Sequence, residues 1–133
     1  VYVGVAEAAR DRAIQIAMKR STDEHLCYMV GGLDNELMSA KLALQHMIST
    51  AVVSQPGFAT TNQIMTGRTL VVKAALNAVD LAMEVAGGSA FYRKLGLEKL
   101  FRDIQGVRYH PLREEAQRKL SGQLAFGWDA SSL

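Results

Sequence analysis

Lys73-Ala74-Ala75-Leu76-Asn77-Ala78-Val79-Asp80-Leu81-Ala82-Met83-Glu84-Val85-Ala86-Gly87-Gly88 is the stretch whose reading decides the fold. Alanine loses almost no side-chain entropy in a helix, so this run favours one strongly. Val72, Leu76, Val79, Met83 and Ala86 recur at steps of three and four and mark a single face, with Ala75, Ala78 and Ala82 beside it. So many small residues on one face predict that neighbouring helices approach closely. Gly87-Gly88 stops the helix where a left-handed residue is wanted.

Upstream, Met65 and Thr69 extend the stripe, so the helix is expected over 61–86. Ser54-Gln55-Pro56-Gly57 precedes it and reads as a turn. A helix over 24–53 is carried by Leu26, Met29, Val30, Leu33, Leu37, Ala40, Leu44, Met47, Ile48 and Ala51. Gly31-Gly32 lies inside it and predicts a close crossing or a break. Ser21-Thr22-Asp23-Glu24 supplies its cap. The first helix covers 1–20, with Val1, Val5, Ala8, Ala9, Ala13, Ile16 and Ala17 as its apolar stripe.

Downstream, residues 89–96 read as a loop carrying Phe91 and Tyr92. A fourth helix starts near Leu97 and includes Leu100, Phe101, Ile104 and Val107. Pro111 breaks it, since proline removes a donor and clashes with the preceding turn. A last helix covers 112–125 with Leu112, Ala116, Leu120 and Leu124 on one face, and residues 127–133 form a frayed tail. No stretch alternates as a strand does. The expected fold is all-α, an up-and-down bundle of four to five helices spanning residues 1–133.

A net charge of +2, spread along the chain, argues against nucleic acid and against an anionic membrane as partners. No apolar run is long enough for a membrane span. The single cysteine, Cys27, excludes an internal disulfide, fits a reducing, cytoplasmic setting, and reads as a small buried apolar residue. His25, His46 and His110 share no metal-ligand spacing, so no metal site is expected. Neither a phosphate-cradling glycine loop nor a nucleophile elbow occurs. The chemistry is confined to 84–112: an open Gly87-Gly88 backbone, Arg102-Asp103 as a surface ion pair, and His110 beside a helix break. The chain also begins inside a helical pattern, which reads as a piece of a longer protein.

In order and spacing these residues resemble the C-terminal helical domain of the acyl-CoA dehydrogenase superfamily. That family carries lysine in an alanine-rich helix, then Gln-x-x-Gly-Gly-x-Gly-Phe, then Glu-x-x-x-Arg-Asp. Here Lys73-Ala74-Ala75 is followed by Glu84-Val85-Ala86-Gly87-Gly88-Ser89-Ala90-Phe91 and by Glu98-Lys99-Leu100-Phe101-Arg102-Asp103, without a gap. Val1 to Arg20 resembles the family's first C-terminal helix, so the likeness extends over the whole chain. It departs at Glu84 (glutamine in the family), at Ala90 (glycine), and at Tyr109-His110-Pro111-Leu112, which stands where Tyr-Glu-Gly-Thr holds the base.

The resemblance implies an FAD enzyme, dimeric or tetrameric, whose N-terminal helical and middle β domains lie outside this sequence. It implies that Arg20, Glu84, Gly87 and Gly88 bind the cofactor, receiving the adenylate-pyrophosphate part of FAD from a neighbouring subunit. The implied reaction is α,β-desaturation of an acyl-CoA, with an electron-accepting flavoprotein as a further partner. The base is unassigned, because Glu114 and Glu115 stand three to four residues beyond its place. Some family members carry the base near the first C-terminal helix, which here falls before Val1. An alternative is a reduced-flavin-dependent monooxygenase of the same fold, in which His110 is the candidate group, an imidazole being suited to proton transfer. A third is a non-enzymatic helical oligomerisation module.

Overall fold

The computed structural model describes residues 1–110 and 113–131. Five α-helices follow one another: α1 (Tyr2–Ala17), α2 (Glu24–Val53), α3 (Phe58–Ala86), α4 (Leu97–Ile104) and α5 (Glu114–Ala125). Short 3-10 turns occupy Met18–Arg20, Gly87–Phe91, Arg93–Leu95 and Gln105–Tyr109. No strand occurs among the described residues. The all-α up-and-down bundle is therefore the observed fold, and α2 matches its expected span to the residue. Its cap is Asp23, whose carboxylate accepts the N–H groups of His25 (2.9 Å) and Leu26 (3.3 Å). Helix α3 starts at Phe58, earlier than the periodicity predicts, because the chain turns fully within Pro56-Gly57. The expected break at Pro111 and the expected helix start at Leu112 lie outside the described residues.

Side-chain contacts fix the directions. Tyr2 and Arg68 converge on His110 at one end, while Arg20 meets Ala86 at the other, so α1 and α3 run parallel. Lys41 pairs with Glu7 (2.8 Å) and Asp34 with Arg10, so α2 runs opposite to α1. Gln117 bonds Thr69 and Ser121 bonds Asn62, so α5 runs opposite to α3. Helix α4 and the turn after it cover the upper part of α3 and α5 the lower part, together forming the fourth, interrupted column of the bundle.

The core lies around α3, which is buried on a wider face than one stripe because α1, α2, α4 and α5 all pack on it. Ala6, Ala9, Ala13 and Ala17 of α1 join Ala75, Ala78, Val79, Ala82 and Val85 of α3 in the core cluster. Alanine against alanine lets two backbones approach closely, as the alanine content predicts. Leu33, Leu97, Ile104 and Leu120 add the bulk.

Several expectations are corrected. Gly31-Gly32 is neither a break nor a crossing: α2 is continuous, and a Cβ at either glycine would meet nothing within 4 Å. The close crossing is at Gly67, where a Cβ would overlap Met47 Cγ. Cys27 is exposed rather than buried, since the first turn of α2 turns it to solvent. Val1 and Ala8 are exposed, off the buried Ala6, Ala9, Ala13 and Ala17 face, and Ile48 and Ala51 of the α2 stripe are exposed because α2 extends past the N-terminal end of α1. The tail folds back instead of fraying as far as Ser131: Trp128 N–H donates to Gln123 O (2.8 Å) and Ala130 is buried. No helix among the described residues is long and apolar enough to cross a membrane.

Candidate functional site

The end of α3 forms the first cluster. Gly87 takes φ +71 and ψ −149, a region that only glycine enters without strain, and not the left-handed conformation expected. Its N–H donates back to the carbonyls of Met83 and Glu84. Arg20, carried past α1 by the Met18–Arg20 turn, donates through Nη2 to Val85 O (3.0 Å) and Ala86 O (3.5 Å). A guanidinium at a helix C-terminus offsets the negative end of the helix dipole. The structure thus brings together Arg20, Gly87 and Gly88, residues separated by more than sixty positions in sequence. Glu84 stands exposed on the final turn of α3. A Cβ at Gly87 or Gly88 would meet nothing within 4 Å, so the main chain there is open to an incoming group.

That geometry fits the phosphate portion of a dinucleotide in two respects: a cation stands beside the turn, and the backbone can be approached without side-chain obstruction. The residues available to hold it are Arg20, Gly87 and Gly88, with Glu84 at the edge.

The second cluster lies at the opposite end of α1. Tyr2 Oη is 2.5 Å from Nδ1 and 3.0 Å from Nε2 of His110. Their ring centroids are 5.3 Å apart and tilted by 58°, so this is an edge approach and not a stack. Arg68 Nη2 donates to His110 O at 2.9 Å. The three residues line a cavity of about 230 Å³ with Val1, Val3, Leu44, Met47, Val71, Val72 and Val107. No carboxylate is among the residues lining it. Glu114 is engaged elsewhere, paired with Lys73 at 3.0 Å and with Arg118 at 4.0 Å.

Arg102 and Asp103 do not pair with each other. Arg102 pairs with Glu98 (3.3 Å) and Lys99 with Asp103 (2.9 Å), both one turn apart on α4, because side chains four residues apart share a face and adjacent ones do not. No group of three metal-ligating side chains occurs among the described residues.

The two clusters stand apart. From Tyr2 to Arg20 the chain climbs roughly 27 Å at helical rise. His110 is therefore not joined to Arg20, Glu84, Gly87 and Gly88 in one site. Tyr2 and Arg68 were not legible as partners of His110, being 108 and 42 residues away with no motif linking them.

Comparison with known proteins agrees with this architecture. The family model described as acyl-CoA dehydrogenase, C-terminal domain, matches residues 1–114. A protein of Bacillus subtilis (strain 168) named "Putative acyl-CoA dehydrogenase YdbM" is 28% identical, over 87% of this chain and 33% of its own length. Among solved structures, KijD3 in complex with FMN and a dTDP-amino-keto sugar superposes with a TM-score of 0.88 at 21% identity, over 99% of this chain and 35% of its own. The nitrososynthase of Micromonospora carbonacea var. africana gives 0.81 at 24% identity, over 95% and 35%. The HsaA monooxygenase of M. tuberculosis gives 0.84 at 17% identity, over 96% and 37%. These structural likenesses establish the fold. The chain spans about a third of the length of each relative.

Proposed function

The chain belongs to the acyl-CoA dehydrogenase C-terminal domain family, and on that premise we propose that it is the helical bundle of a cytoplasmic, FAD-dependent oxidoreductase that desaturates the α,β bond of an acyl-CoA thioester. The observation that carries this reading is the meeting of Arg20 with the open Gly87-Gly88 turn. Arg20 supplies positive charge beside the turn, and the glycines leave room for phosphate oxygens against the main chain. When bound, the flavin supplies the two-electron acceptor for the substrate hydride.

The cavity at His110 has apolar walls and holds Tyr2 and Arg68 as its other polar groups. Apolar walls suit an acyl chain and help exclude water from a weakly acidic α-proton. A carboxylate base is assigned to a part of the protein outside this bundle, since none lines the cavity. The partners proposed are acyl-CoA, an electron-accepting flavoprotein and further copies of the chain. The exposed apolar residues Ile48, Val52, Val53 and Phe58, where α2 and α3 extend past α1, support self-association.

The test is reconstitution of the full-length apoprotein with FAD, followed by anaerobic addition of acyl-CoA thioesters. Stoichiometric flavin uptake and bleaching of its absorbance are expected. A full-length protein that takes up no flavin overturns the proposal.

A second reading is favoured by one observation, the presence of His110 and the absence of a carboxylate in that cavity. It is a reduced-flavin-dependent monooxygenase, in line with the name of one solved relative, the HsaA monooxygenase. It predicts oxygen-dependent hydroxylation with an external reductase, lost in His110→Ala with flavin retained. Anaerobic bleaching by acyl-CoA counts against it. A non-enzymatic oligomerisation module remains a third reading, and a monomeric mass in solution counts against that one.

A further inference from the structure

The contact between Tyr2 and His110 determines more than the packing of α1. A neutral imidazole has one nitrogen that carries a proton and one that accepts a hydrogen bond, and its partners decide which is which. The main chain at His110 is extended, with φ −74 and ψ 141, and its carbonyl accepts from Arg68 at 2.9 Å. The residue is therefore anchored through its backbone, while Tyr2 Oη meets the nitrogen edge of the ring. One phenol hydrogen can serve only one ring nitrogen at a time. The remaining lining of the cavity is aliphatic or methionine, apart from Arg68, and a guanidinium only donates. Arg68 donates to the main-chain carbonyl of His110, and Tyr2 Oη is the group that the structure places within hydrogen-bond distance of the ring nitrogens.

We propose that Tyr2 is a positioning residue whose O–H donates to one nitrogen of His110, holding the ring proton on the other nitrogen, so that His110 meets its ligand as a neutral hydrogen-bond donor. The ligand class this suits is one that presents an acceptor oxygen to the cavity, such as the carbonyl of a thioester or of a ketone. A donor cannot take the α-proton, so the role of His110 is to polarise the acceptor oxygen through its N–H and not to act as the base. This rests on the reading that the His110 cavity faces the reacting molecule.

The experiment uses the full-length protein without added flavin or substrate. Diethyl pyrocarbonate modifies the unprotonated imidazole nitrogen, and mass spectrometry reads each histidine separately. His25 and His46, exposed as His110 is, serve as internal references, so that a difference in rate reads the phenol contact and not burial. In the native protein the unprotonated nitrogen of His110 is covered by the phenol, so His110 is modified more slowly than the references. In Tyr2→Phe, which keeps the ring and removes the donor, modification of His110 relative to His25 and His46 rises about fivefold, the factor held back by one hydrogen bond of ~1 kcal/mol. An unchanged relative rate in Tyr2→Phe overturns the proposal, as does a native His110 as reactive as the references. Turnover of His110→Ala separately tests the reading beneath it. A variant with full turnover removes the cavity from the reaction while the modification rates still report on Tyr2.

Discussion

Gly31 and Gly67 are both glycines inside long helices, yet their surroundings give opposite expectations. At Gly31 an added methyl meets nothing within 4 Å, so Gly31→Ala exchanges backbone freedom for helix propensity. It should stabilise by about 0.5–1 kcal/mol. At Gly67 the methyl overlaps Met47 Cγ on α2, and Gly67→Ala should destabilise by about 1–3 kcal/mol as the crossing is forced apart. Urea denaturation of the two variants checks both signs.

Asp34 shows a different residue-scale effect. Arg10 forks onto it, and the guanidinium hydrogen bonds hold its carboxyl below the usual range. A depressed folded-state pKa adds stability above the unfolded value and loses it as pH falls through the lower folded value. With the Asp34 side chain 45% exposed, the gain at neutral pH is small, about 0.5 kcal/mol. Asp34→Asn should be less stable than the native protein at neutral pH, and the two denaturation curves should converge below about pH 4.

At the scale of elements, α5 is held to α3 by polar groups as much as by apolar ones. Gln117, only 6% exposed, accepts from Thr69 at 2.9 Å and donates to Thr66 (3.2 Å) and Ser121 (3.3 Å), and Ser121 donates to Asn62 at 2.8 Å. Removing Gln117 leaves the buried hydroxyl of Thr69 without its acceptor, which costs more than the bond itself. Gln117→Ala should lose about 2–3 kcal/mol. Hydrogen exchange should quicken in Glu114–Ala125, while the alanine seam between α1 and α3 stays protected. The apolar period of α5 gives its existence and Leu120 as a core residue. It gives no sign of this network, because whether a glutamine is solvated or buried depends on which helix faces it.

At the scale of the whole molecule, the parallel run of α1 and α3 places the two clusters at opposite ends. Arg20→Ala should therefore weaken flavin retention in the full-length protein about tenfold, equivalent to ~1.4 kcal/mol, with the modification rate of His110 unchanged. Tyr2→Phe should do the reverse, raising the modification rate of His110 and leaving the flavin Kd unaltered. A variant at either end that disturbs both readouts would show that the ends are coupled through α1.

The sequence by itself determined the helices, most of their ends and the family resemblance, because these follow from periodicity, capping and spacing between near neighbours. The cap at Asp23, the span of α2 and the stop at Gly87 all come from interactions within a few residues. Likeness alone proposed Arg20 and Gly87-Gly88 as cofactor residues. Only the tertiary structure decided that Arg20 lies against that turn, that Tyr2 and Arg68 hold His110, that Gly67 and not Gly31-Gly32 is the crossing, and that Cys27 faces solvent. Each of these depends on which helix lies beside which and in what register. That is settled by burying the alanine seam around α3, a property of the whole chain and not of any stretch of it.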